Sequence, residues 1–468
     1  MSISKRYLTP DELETLDPTG RGRATIASFA PGEPTPVPSI FKERDRSAHL
    51  SQYQELRASI PDKHRIYKEY DASFDSKFGP QGDRFGFDEL SVQLESYYAL
   101  ADRKLTWHPN LIKARDWFVR RVRSKAATVG YPQYDPWDMG VTGTSSSLPV
   151  MGTKGSFLAE TVGMQYWRHV LPCLPGQRSQ RQKHRVIFQD PNPNVRAIAP
   201  TLRAVREWLK RHFRSDFSGW MDPSVELRPA ITRMISFPDA YSTETDYDSC
   251  DKHYAWEVAA EFVLPVYESL LDPMHYVKFA SFVEELFWQP LFMGQELWEG
   301  KHNLFSGQAI TNDFETIFGV ILAYAGLLAN GQVDPSRYFV AVCGDDISVL
   351  TRTKTVAQRV HDSMVEYATL AGMDMSLPKC RIAHRNVQFC KQLYYPEGRK
   401  YHDMSGNPVL YGAYPGVLAL NSIINPEKYD DNEPTQWGSF IQRMDGLVGA
   451  PHFDPFVRKW FKLAKPRR

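Results

Sequence analysis

In the stretch YFVAVCGDDISVL, residues 338–350, two adjacent carboxylates, Asp345 and Asp346, interrupt an apolar run. Upstream, DYDSCD carries Asp246 and Asp251 as D-x4-D at the end of a strand candidate. Between them, SGQAITNDFET (306–316) sets Ser306 and Gly307 at the start of a long helix, with Thr311 and Asn312 one turn in. Each piece alone has a plain structural reading: an Asp pair suits a tight hairpin turn, and Ser-Gly suits a helix cap. Together they describe a cation site. If the strand and the hairpin are neighbours in one sheet, Asp246 and Asp345 converge on one point. Few protein ligands, all oxygen, suit Mg²⁺ or Mn²⁺, which complete their shells with water and substrate phosphates. Two such ions stabilise the attacking and the leaving oxygens of an in-line phosphoryl displacement. The basic stretch around Arg185 then holds a triphosphate and offsets its developing charge.

The elements that must carry these residues follow from periodicity and punctuation. Residues 50–130 show helical spacing, and 131–160, rich in Gly, Ser, Thr and Pro, read as loop. HRVIFQD (184–190) is β-like. ITRMISFPDAYSTETDYDSCD (231–251) reads as a strand candidate followed by an acid-dense turn, and the next segment as a helix broken around Pro265. The helix after Ser306-Gly307 runs to Asn330-Gly331, and the one after the Asp345 hairpin closes at Gly372. The order strand, helix, helix, hairpin, helix, strand predicts an α+β sheet with helices on one face.

At 468 residues and 42% hydrophobic, the chain can fill roughly three domain-sized cores or one multi-lobed body. Five scattered cysteines without metal-type spacing predict a reducing compartment. The N-terminus lacks the apolar core of a secretory signal, and IFGVILAYAGLLA is too short for a membrane span, so it is expected to be a buried helix. The net charge of +1 argues against a simple polyanion binder. Its distribution is more telling: basic segments at 113–125, 178–214 and the C-terminal RKWFKLAKPRR could line a channel for phosphates. Residues 1–45 include PGEPTPVPS, which reads as an extended arm or linker.

The series as a whole resembles the viral RNA-dependent RNA polymerases, over most of the chain. DYDSCD resembles their motif A, SGQAITNDFET motif B and CGDD (343–346) motif C; GMDMSLPKC (372–380) resembles motif D and VQFCKQLYY (387–395) motif E. Upstream, RQKHRVIF resembles motif F and TSSSLPVMGTKG (144–155) motif G. That loop, the TNDFET helix and VLALNSIINPEKY (417–429) look most like double-stranded RNA viruses of picobirnavirus and partitivirus type.

The resemblance implies a closed right hand with an RRM-like antiparallel palm sheet. Its division would be 1–45 arm, 46–225 and 252–303 fingers, 226–251 and 304–395 palm, 396–468 thumb and tail. Asp246 and Asp345 would be the principal ligands of two Mg²⁺ (or Mn²⁺) ions, with Asp346 accessory. Lys379 would protonate the departing pyrophosphate. Arg185 and Lys183, with Arg178 and Arg181, would guide the triphosphate. Asp251 would sit near the ribose 2′-OH, Thr311 and Asn312 would join that network, and Ser306 and Gly307 would lie under the template base. Ser146, Ser147 and Lys154 would contact the entering template. RNA, nucleoside triphosphates and a viral capsid protein are the implied partners, and a particle in the host cytoplasm the implied location.

One departure stands out. Many members carry Asn four residues after the motif B threonine, paired to the second motif A aspartate, and this chain has Glu315. Two carboxylates in contact would raise one pKa or need a cation between them. The rival readings are a reverse transcriptase and a non-catalytic RNA-binding protein on a polymerase fold. Cys-Gly before the Asp pair and retention of Asp251 disfavour the first; the intact set of acids disfavours the second. A metal-dependent hydrolase would need a base, and only His253 lies near.

Overall fold

The computed structural model describes residues 3–32, 46–79, 86–135, 145–149, 151–153, 170–180, 183–332, 334–426 and 433–463. The elements that bear on the site are, in chain order, helix α1 (Phe87–Ala99), the paired strands β1 (Leu174–Gln180) and β2 (Lys183–Gln189), helices α2 (Asn192–His212) and α3 (Leu227–Ser236), and strand β3 (Tyr241–Thr245). Helix α4 (Thr311–Ala329), the hairpin β4 (Phe339–Cys343) and β5 (Asp346–Thr351), helix α5 (Lys354–Leu370), strand β6 (Arg381–His384) and the hairpin β7 (Val387–Phe389) and β8 (Gln392–Tyr394) follow.

Strands β6, β3, β5 and β4 form, in that order, a four-stranded antiparallel sheet. Alternation along the strands divides its side chains between two cores. Val340, Val342, Ile347 and Val349 join the core that contains the apolar residues of α4 and α5. Phe339, Ala341 and Leu350 face the other way and pack with Leu227, Ile231, Met234 and Ile235 of α3 and with Val387 and Phe389. Both faces are therefore covered in part, which corrects the one-faced arrangement expected from the sequence. The same helix corrects a second expectation: Ile231–Ser236, read as strand, is the end of α3. Its apolar side chains recur at helical spacing, and the buried face they form outweighs the β preference of Ile and Thr.

Helix α4 is the spine of the molecule. It begins at Thr311, so Thr311 and Asn312 open the helix rather than lying one turn in, and the chain turns through residues 306–310 before it. It ends at Asn330, with Gly331 at φ +67°. This helix is long and apolar enough to cross a membrane, but 78% of the relevant window is buried inside the fold, so it is a core helix. Asp313 in its first turn is fully buried and receives a two-pronged hydrogen bond from Arg206 of α2, with Nε to Oδ1 at 2.7 Å.

Two further cores tie the termini in. Residues Ser4–Tyr7 pair antiparallel with Glu296–Glu299, and Leu8, Ile26 and Phe29 share a core with Tyr97, Phe188, Phe292 and Phe305. Tyr53, Ile60, Tyr67 and Tyr70 share another with Val417, Leu420, Phe440, Phe456 and Trp460. Within it Asp71 accepts from Tyr53 Oη at 2.7 Å, from Arg57 Nη1 at 3.1 Å and from the Val417 amide at 3.1 Å.

Candidate active site

The β4–β5 turn consists of Gly344 and Asp345, closed by the Cys343–Asp346 pair. Gly344 has φ +61°, a left-handed conformation that glycine adopts without strain. Its amide donates to Thr316 Oγ1 at 2.7 Å, which fixes the turn to α4. On the other side of β5, Ile347 lies opposite Thr245. In an antiparallel pair the next residues outward are Asp346 and Asp246, so these two acids leave the sheet side by side, with Asp345 in the adjoining turn. The expected convergence is present.

The three acids push on one another. Burial, then the like charges of Asp345 and Asp246, raise Asp346 to about 6, against the opposing pull of Lys391 and a hydrogen bond from Cys390. Burial and then Asp246 raise Asp345, which Arg185 opposes. The Asp345 residue nonetheless keeps contact with solvent at the turn. Cys390 and Lys391 are the turn of the β7–β8 hairpin, at φ +48° and +58°, a conformation uncommon for such residues that aims them at Asp346. Lys379 Nζ donates to Asp246 Oδ1 at 2.9 Å. Asp248 is exposed, and its amide donates to the Asp374 carbonyl at 2.9 Å.

The second wall is β2 and the loop before α4. Arg185 is exposed on β2, opposite Arg178, also exposed, on β1. The Phe188 amide donates to the Ser306 carbonyl at 3.0 Å, joining the strand to the loop. Gly307, at φ +111°, lies so close that a Cβ there would stand 2.3 Å from the Phe188 carbonyl oxygen, so no other residue fits. Thr311 Oγ1 donates to the Phe305 carbonyl at 3.2 Å and closes this loop on itself. Lys183 lies in β2 and Ser146 in a short pair of strands with Gly152, but their side chains, like Arg181 and Lys154 altogether, lie outside the described residues. Ser147 is fully buried.

Asp251 lies in the short helix Cys250–His253 and has a partner that sequence reasoning missed: Tyr97 Oη donates to its Oδ2 at 2.7 Å. Nothing near Tyr97 marks it, since an aromatic residue on an amphipathic helix reads as core. Glu315 stands close by, pushed well above the usual carboxylate range by burial and then by Asp345 and Asp251. That is the strain foreseen for an acid in place of Asn. Asn312 Oδ1 accepts from Trp220 Nε1 at 3.0 Å, and its amide nitrogen and the Glu315 Oε2 would lie 3.2 Å and 3.5 Å from a Cβ on Gly344.

The donors present fit a hard divalent cation: Asp345 and Asp346, both raised in pKa, stand with Asp246, and a cation would relieve their repulsion. Among the described residues no three His, Cys, Asp or Glu side chains are gathered to hold an ion without other ligands. Mg²⁺ needs no such cage, because one or two carboxylates with waters and substrate phosphates suffice.

No protein-family model matches the sequence, and no curated protein matches it. Solved structures do. The RNA-dependent RNA polymerase of a human picobirnavirus superposes with a TM-score of 0.79 at 16% identity, over 98% of this chain and 90% of that one. An insertion-loop deletion mutant of a human picobirnavirus polymerase gives 0.77 at 16% identity, over 98% and 92%. Across nearly its whole length, then, this chain has the α+β fold of the picobirnavirus RNA-dependent RNA polymerases.

Proposed function

We propose that the protein is an RNA-dependent RNA polymerase that transfers nucleotidyl groups from nucleoside triphosphates to the 3′-OH of a growing RNA on an RNA template. One observation carries the reading: the register that leaves Asp246 beside Asp346, with Asp345 in the next turn and within the electrostatic influence of Arg185. The likeness in fold supports it. On this reading the four-stranded sheet is an RRM-like palm, α2 and the β1–β2 hairpin belong to the fingers, and the C-terminal helices to the thumb.

Asp246 and Asp345, with Asp346 beside them, would hold two Mg²⁺ ions, which when bound would supply positive charge to the phosphoryl displacement. Arg185, with Lys183, Arg178 and Arg181, holds the triphosphate and orients it for in-line attack. Asp251 accepts from the ribose 2′-OH of the incoming nucleotide. The Ser306-Gly307 loop supports the template base, and Ser146 and Lys154 meet the template on its way in. Lys379 hands a proton to the pyrophosphate oxygen as it departs.

The test is incorporation of labelled nucleotides on a single-stranded RNA template, with and without a primer, with Mg²⁺ and with chelator. Complementary product that depends on template and divalent cation is expected. Equal incorporation from 2′-deoxyribonucleotides would favour a reverse transcriptase, and RNA binding without incorporation a non-catalytic RNA-binding protein.

A further inference from the structure

Asp251 is held by a residue from a distant part of the chain. Tyr97, on α1, is only 2% exposed, so its hydroxyl has one fixed position. Its ring stands edge-on to Phe188 at 5.1 Å and to Phe305 at 5.6 Å, and those two rings stack on each other at 4.1 Å. Phe188 lies on β2 three residues past Arg185, and Phe305 directly precedes Ser306. The Lys252 ammonium lies 5.4 Å over the same ring. One phenol therefore touches the strand of the triphosphate arginine and the loop of the template base, while its hydroxyl reaches the acid beside the sugar.

The chemistry of that bond is one-directional. An ionised aspartate only accepts, so Tyr97 is the donor, and a charge-assisted bond of this kind is among the stronger ones. The carboxyl torsion of Asp is broad and two-fold, and nothing intrinsic to the side chain sets its rotation. With Oδ2 taken by Tyr97, Oδ1 is left for another donor, and Asp251 is only partly buried.

We propose that Tyr97 determines sugar specificity: by fixing the rotation of the Asp251 carboxylate, it aims the remaining oxygen at the ribose 2′-OH and sets the preference for ribonucleotides over 2′-deoxyribonucleotides. The inference rests on the polymerase reading and adds a positioning residue from outside the seven motif segments.

Tyr97→Phe keeps the ring stack and removes only the donor. The measurement is kcat/KM for one nucleoside triphosphate and for its 2′-deoxy analogue on the same primed template. Their ratio is expected to fall about tenfold, the scale of one hydrogen bond to a charged group. A purely structural role would lower both constants together and leave the ratio unmoved. Asp251→Asn, also measured alone, should lower the ratio too, and Tyr97→Phe added to it should change the ratio by less than about twofold, because the two act through one group. A ratio unchanged in active Tyr97→Phe, or full additivity in the double variant, overturns the inference alone. A wild type that incorporates no nucleotide overturns the polymerase reading, and this inference with it.

Discussion

Lys379 Nζ and Asp246 Oδ1 are 2.9 Å apart, and the backbone holds them together, since the Ser376 amide donates to the Asp246 carbonyl at 2.8 Å and the Lys379 amide to the Ser376 carbonyl at 2.8 Å. The two side chains are 50% and 45% exposed, so the ion pair contributes little to stability. On the proposed reading it keeps a proton donor within reach of the acid that would bind the cation.

Lys379→Ala is therefore expected to slow the single-turnover rate of nucleotide addition by about a hundredfold, the usual scale of general acid catalysis. Nucleotide affinity and the melting temperature should stay close to wild type. An unchanged single-turnover rate would remove Lys379 from the chemistry.

Acidity should act on Asp346 in a defined direction. Its folded pKa of about 6 stands above the usual 3.8, so between those values the native state holds a proton that the unfolded chain releases. Stability in chelator should then rise as pH falls from 7 to 5, since the charged form is the one the fold disfavours. Melting curves should show a smaller rise in Asp346→Asn, which cannot titrate. Equal rises in both proteins would place the effect on other groups.

Arg206 and Asp313 anchor α4 to α2. Because Asp313 is fully buried, Arg206→Ala leaves a carboxylate without its counter-charge, at a cost of about 3–5 kcal/mol. Urea unfolding measures this directly. A loss below about 1 kcal/mol would mean that the pair contributes no more than an exposed one.

Much of the site could be read from local signals. The hairpin at Asp345, the acid at Asp246 and the helix Thr311–Ala329 each sit in a segment whose pattern names its structure. What escaped depends on contacts between distant segments. Tyr97 and Asp251 are 154 residues apart, and Arg206 and Asp313 are 107 apart. Neither pair leaves a mark in its own neighbourhood. Ile231–Ser236 has the β-branched composition of a strand, yet its buried face packs as a helix on the far side of the sheet. Placing Tyr53 and Tyr67 in one core with Phe456 and Trp460 likewise needs the folded chain.

On the proposed reading the acids at the β4–β5 turn serve the chemistry, while the basic segments of the chain hold the RNA backbone. Asp345→Ala separates the two. Primer extension on an RNA template should fall on the order of a thousandfold or more, as when a group that stabilises transition-state charge is removed. RNA affinity at the same salt concentration should change by no more than about twofold, because backbone contacts and not this acid supply it. Extension by Asp345→Ala at close to the wild-type rate would contradict the account.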